Sequence, residues 1–287
     1  MRAGIARAAY GNRVKAPTLR VASRAKALSG PAIVFVLFIA AWYATAYSIK
    51  NNFSPASNKP MIIPPPHRLF EDFNGITRDK IFTALLISVK TSLVGLTISI
   101  VLGLGLGIIM AQARWLEKAL WPYLIALQVT PIIALVPLMI KLVGANFAAR
   151  VIVTVIISLF PIVSNTLFGL QSVDRNLHDL FTLHRVGRAR RMFRLQLPAA
   201  SPAIFSGFRI SAGLAVIGAI VGDFFFAKGD PGLGKLITAF FINNQAGPMF
   251  ITSICAALLG LALFIIFGVI YRSAVGRWYE DTTIGSR

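Results

Sequence analysis

The 287-residue chain is 56% hydrophobic and 14% charged, and its 29 Lys and Arg against 10 Asp and Glu leave a net charge of +19. A soluble domain carries about 25% charged residues, so this composition excludes a soluble globule, a disordered tail and a disulfide scaffold. The single cysteine, Cys255, lies in an apolar run, which excludes an internal disulfide and a cysteine metal cluster.

The basic residues fall between long apolar runs, which calls for a membrane explanation before a nucleic-acid one. A bilayer core about 30 Å thick needs about 20 apolar residues of helix. Six stretches qualify in chain order: 31–49, 91–113, 119–140, 151–173, 210–227 with an interruption at Asp223, and 249–271. They are continuous runs, such as Ile33 to Ile39, without the alternation of a barrel strand. The expected fold is an all-α polytopic membrane protein with six transmembrane helices.

Segments 1–30, 112–118, 174–209 and 272–287 hold 19 of the 29 Lys and Arg, which predicts that both termini are cytoplasmic. Residues 1–30 then form a basic cytoplasmic arm without fixed structure, near anionic headgroups. The arm and the run after it imitate a signal peptide, but the basic region is too long, so an uncleaved first span is expected. Residues 31–80 comprise that span and an outer connection with Pro55, Pro60 and Pro64-Pro65-Pro66, followed by a short interfacial helix from His67 to Phe73. Residues 81–275 form the core, with a cytoplasmic loop at 174–202, and 276–287 form a cytoplasmic tail.

Gly95, Gly103, Gly105 and Gly107 in the second span predict close helix packing. Pro131 and Pro137 predict a kinked third helix. In the 174–202 loop, apolar residues at 177, 180, 181 and 183 predict one face of a helix near 178–190, with Asp179 early and arginines late. A positively charged anchor needs no such face; a docking helix for a cytoplasmic partner does. The stretch Gly229 to Lys235 imitates a phosphate-binding loop, but Leu236 replaces the required Ser or Thr and no strand precedes it, so a tight turn is expected.

No catalytic set is evident. His67, His178 and His184 are scattered over loops, and no metal or nucleophile motif occurs. Neither an enzyme nor a bound cofactor is expected. Polar residues within spans are costly against lipid and mark either hydrogen bonds between helices or, in a transporter, the translocation pathway: Gln128 and Thr130 beside Pro131, Asn165 in the fourth span and Asp223 in the fifth. Asp223 is expected at the outer interface, hydrated or paired with Lys228. No arginine or lysine is placed inside a span by this reading; in a transporter this would favour an uncharged or aromatic substrate over an anion, unless a separate binding protein does all the discriminating.

The 179–198 loop resembles that of binding-protein-dependent ABC importer permeases, whose signature is Glu-Ala-Ala, three residues, Gly, then Leu-Pro thirteen residues on. Asp179, Leu180 and Phe181 stand at the first three positions, and Leu197-Pro198-Ala199-Ala200-Ser201-Pro202 resembles the usual ending. The family glycine falls at Arg185, with Gly187 two residues on. Ile63-Pro64-Pro65-Pro66, Pro161 to Thr166, Gly207-Phe208-Arg209-Ile210 and Pro231-Gly232-Leu233-Gly234 resemble elements of the nitrate, sulfonate and taurine branch.

The resemblance implies a type I importer (MetI-like) transmembrane domain. It implies cytoplasmic ABC ATPase subunits that use ATP, an extracytoplasmic substrate-binding protein and a second permease chain, with no nucleic-acid partner. Asp179, Leu180, Phe181, Leu183, Arg185, Gly187, Leu197 and Pro198 would couple the ATPase to the spans. The substrate would be a small anion such as nitrate, a sulfonate or taurine, or a vitamin precursor such as a pyrimidine or riboflavin. A secondary transporter or channel is the rival; it would show an inverted repeat and paired intramembrane charges, and neither is apparent in the sequence.

Overall fold

Eleven helices account for most of the residues 18–48, 62–226 and 229–275 that the computed structural model describes. The chain divides into two units, residues 1–58 and 59–287. In the first, α1 runs from Thr18 to Ser48. It begins inside the arm expected to lack structure, because residues 18–30 are rich in Ala, Leu, Arg and Lys, which favour helix. The rest of the arm, most of the Pro-rich connection and the tail after residue 275 lie outside the described residues, as does Lys228.

The second unit opens with α2, Arg68–Asp72, within the His67–Phe73 stretch where the sequence predicts a short helix. Three long helices then carry the core: α3 (Gly75–Gln112), α6 (Phe147–Gln171) and α9 (Leu197–Phe225). Asn74 and Asn146 begin the first two, their side chains accepting hydrogen bonds from the Thr77 and Ala149 amides at 3.0 and 3.2 Å. Helix α6 is central, packed along both α3 and α9.

Small residues set that packing. A side-chain carbon at Gly95 would strike Thr154, one at Gly103 would strike Ile162, and one at Gly107 would strike Thr166. Between the first two, the Ser99 and Ser158 hydroxyls lie 2.7 Å apart. The sequence offset is constant through this ladder, so α3 and α6 run parallel with one contact per turn. Toward α9, Gly218 abuts Thr154, Gly207 abuts Asn165, and Ser211 donates to the Ser158 carbonyl at 2.7 Å, with α9 antiparallel to α6. Without a hydrophobic force between helices in lipid, such close approach is what dispersion and hydrogen bonding require. Gly105 is the exception among the glycines expected to pack, with open space at its side-chain position.

The third span departs from a simple kink. Helix α4 (Arg114–Val129) and α5 (Ile132–Leu142) meet at Thr130-Pro131 with a bend of 98°. Proline at 131 cannot donate to the preceding turn, and it forces Thr130 out of helical conformation. The described residues therefore hold five helices long and apolar enough to cross a membrane, and a sixth span if the bent pair counts as one. The fifth begins earlier than the charge-free run suggested. Helix α8 (Arg188–Arg191) passes through one π-helical turn at Met192–Gln196 into α9, so Arg209 lies well inside a helix. Finally α10 (Leu233–Ile242) is a short apolar segment before the last span, α11 (Ala246–Val275).

Candidate coupling and translocation sites

The loop after α6 folds into helix α7, Arg175–Leu183. Asp174 caps it, its carboxylate accepting from the Asn176 amide at 2.9 Å. The helix ends sooner than the 178–190 expected. The Val186 amide bonds the Phe181 carbonyl at 3.0 Å and the Arg185 amide bonds the Thr182 carbonyl at 2.9 Å. This paired closure needs a left-handed residue at position 185. Arg185 supplies it with φ +52°. The departure from the glycine signature therefore keeps the turn and strains the residue that makes it.

No residue of α7 is buried. Leu177, Leu180 and Leu183 are exposed, the last at 81%, and Phe181 is half-buried. Asp179, Arg185 and Gly187 are also exposed. Gly187 starts α8, and the Arg191 guanidinium donates to the Thr182 hydroxyl at 3.0 Å, tying α8 to α7. Leu197 packs on a core of Ile162, Leu170, Met192, Ala200, Ile204 and Phe208, while Pro198 sits exposed in the first turn of α9. The coupling candidates thus form one continuous piece, an exposed amphipathic helix joined through a short basic helix to a span. Nearby, the Gln171 amide donates to the Glu117 carboxylate at 2.8 Å, linking the C-terminal end of α6 to the first turn of α4.

The four pathway candidates are not brought together. Gln128 and Thr130 are exposed at the α4–α5 break, where the Thr130 hydroxyl donates to the Ala126 carbonyl at 2.6 Å. Asn165 is half-buried against Gly207 and donates to the Pro161 carbonyl at 2.8 Å, which makes it part of the helix packing. Asp223 does not lie at a surface: it is 1% exposed and pairs with Arg150, itself 2% exposed, at 3.0 Å.

That pair anchors a buried polar cluster absent from the sequence reading. Ser88 of α3 donates to Asp223 at 3.3 Å and accepts from the Leu233 amide at 2.9 Å. The Gly234 amide also reaches the Asp223 carboxylate. Arg150 donates to the Phe226 and Asp230 carbonyls at 3.2 and 2.9 Å. A side chain at Gly232 would strike the Asp223 carboxylate, so this glycine serves an approach to a carboxylate and not to a phosphate. Ser88, Arg150 and Asp223 join α3, α6, α9 and the start of α10 at one end of the core. The missed signal was the pairing of a lone acid at the end of one span with a base at the start of an antiparallel neighbour.

At the same end, Asp72 of α2 lies against Gly247 at the start of α11. Burial and the neighbouring Glu71 push its carboxyl above the usual range, and Arg68 opposes them. No cluster of His, Cys, Asp and Glu suited to a metal ion occurs among the described residues.

Residues 103–275 match the family described as the binding-protein-dependent transport system inner membrane component. The chain is 32% identical over 236 residues to the formylaminopyrimidine transport permease of Halalkalibacterium halodurans, covering 81% of this chain and 90% of the relative. It is 26% identical over 244 residues to the nitrate import permease of a Synechocystis species, covering 83% of this chain and 86% of that one. A structure of the MetNI methionine ABC transporter in inward-facing conformations aligns with a TM-score of 0.62 at 15% identity, over 70% of this chain and 98% of the other, which is a likeness of fold. The chain is an integral membrane component of an ABC importer, a transporter subunit and not an enzyme, and it belongs to the binding-protein-dependent transport system inner membrane component family.

Proposed function

We propose that this permease works as a homodimer with both termini in the cytoplasm, and that α7 docks into a groove on each cytoplasmic ATPase. Family membership brings ATPase and binding-protein partners in general; the docking role of α7 rests on its exposed leucine stripe. Leu177, Leu180 and Leu183 recur every three residues and cover no core of this chain. Such a stripe is what an amphipathic helix offers to a groove. Arg185, Gly187, Leu197 and Pro198 then carry its motion through α8 into α9, and Asp179 sits on the docked helix. Residues 1–30 form the basic cytoplasmic arm, 81–275 the transport core and 276–287 the cytoplasmic tail.

ATP binding closes the ATPase pair, α7 is carried with it, and the spans pass between inward-open and outward-open states. The binding protein delivers substrate at the opposite end, where α2, α10 and the Arg150–Asp223 cluster lie. The substrate is a small anion such as nitrate or a sulfonate, or a vitamin precursor such as a pyrimidine; relatives named for formylaminopyrimidine and nitrate support that range. The test is a pull-down of the tagged full chain from mild detergent, with identification of the co-eluting chains. An ATPase subunit in equal stoichiometry with the permease is expected. A permease dimer or monomer that never carries an ATPase would overturn the reading in favour of a secondary carrier.

A further inference from the structure

Arg209 lies in the apolar body of α9, 14 residues before Asp223, or about 21 Å of helix. The guanidinium carbon stands 4.0 Å over the Phe264 ring of α11. Its Nε is buried and has no hydrogen-bond partner. A side-chain carbon at Gly268 would come within 3.2 Å of that Nε, so glycine leaves the space in which the guanidinium lies. Arg209 has no ion-pair partner among the described residues, and the acid of its own helix, Asp223, is held by Arg150. Phe264 also lines an open apolar groove of about 610 Å³ between α9 and α11, together with Ile210, Gly213, Leu214, Ala257 and Gly260.

A charge within an apolar span is costly, and such residues face a cavity or a partner. Stacking on a ring fixes the plane of a guanidinium while its N–H groups stay directed outward along the edge. That edge matches two oxygens of a planar or tetrahedral oxyanion.

We propose that Arg209, held over the Phe264 ring, binds an oxyanion within the membrane and that this anion is a small substrate in transit. The proposal deepens the permease reading and rests on it. A lipid headgroup phosphate offers the same chemistry, and the experiment separates the two sources.

The full chain, purified with its ATPase subunits into phosphatidylcholine nanodiscs, is titrated with sodium nitrate, bicarbonate and methanesulfonate against chloride at constant ionic strength, and its melting midpoint is read. A saturable rise with at least one oxyanion is expected. It should weaken at least about tenfold in Arg209→Lys, which keeps the charge and loses the fork, and vanish in Arg209→Gln. No rise in the wild type, or an undiminished rise in Arg209→Lys, overturns the proposal even if Arg209→Gln fails to fold. A rise that appears only with phosphatidylglycerol in the nanodisc, and needs Arg209, overturns the substrate role and assigns the residue to a lipid headgroup. Co-elution of the ATPase is scored separately: its loss would sink the permease reading, whereas its retention without an anion effect would sink this inference alone.

Discussion

The Arg150 guanidinium and the Asp223 carboxylate meet 3.0 Å apart, one in the first turn of α6 and the other in the last turn of α9, both sealed from solvent. Removing one partner of a buried pair leaves an uncompensated charge and costs about 3–5 kcal/mol, while replacing both with apolar residues is often neutral. Arg150→Met and Asp223→Leu should each lower the melting midpoint of the purified protein markedly, and the double variant should recover most of the loss. A double variant as unstable as the worse single one would show that the pair is not the unit that matters.

Two glycines predict opposite signs. At Gly218 an added methyl would lie 2.7 Å from the Thr154 Cα, whereas at Gly105 it meets nothing within 4 Å. Gly218→Ala should destabilise by about 1–3 kcal/mol through overpacking. Gly105→Ala should stabilise by about 0.5–1 kcal/mol, because alanine loses less backbone freedom in a helix. Thermal melts of the two variants side by side check both, and equal effects would refute the packing argument.

The small-residue ladder shows what could be read from the chain and what could not. Apolar length and Lys/Arg placement disclosed the spans, because hydrocarbon thickness and charge burial act on each segment by itself. The amphipathic pattern of Leu177, Leu180 and Phe181 disclosed α7 for the same reason. The Arg150–Asp223 pair and the placement of Arg209 depend on which helices become neighbours, and no single segment carries that information. Charge-free windows hid Arg209 by construction, since they ended a span at every base. The early end of α7 was hidden because its closure relies on an arginine in a conformation usually left to glycine.

That closure is directly testable. A left-handed non-glycine residue costs roughly 1–2 kcal/mol. Arg185→Gly should recover part of it and slow amide hydrogen exchange at Val186, whose hydrogen bond to Phe181 closes the helix. Coupling of transport to ATP hydrolysis should survive, since the turn is unchanged. Faster exchange at Val186 would mean that the arginine side chain itself holds the turn.

The exposed face of α7 gives the sharpest functional expectation. Leu180 is 47% exposed and Phe181 is half-buried, and neither belongs to the core. Leu180→Asp and Phe181→Asp should leave membrane insertion and melting behaviour near the wild type. Both should weaken ATPase co-elution at least about tenfold, the scale of a lost apolar anchor at an interface. Full co-elution together with undiminished uptake would remove α7 from the docking role.

The break between α4 and α5 carries an obligation of its own. The last carbonyls of one helix and the first amides of the next have no partner within their own helices. Pro131 spares one donor, the Thr130 amide and hydroxyl both return to the Ala126 carbonyl, and the Ala134 amide returns to the Pro131 carbonyl, but the exposed corner at Gln128 to Thr130 still needs partners for its remaining end groups. Hydrocarbon cannot satisfy such groups, so backbone of this kind persists only beside protein or water. The corner at Thr130-Pro131 therefore marks a face of the subunit that lipid must not touch, and any assembled transporter has to wet it or cover it.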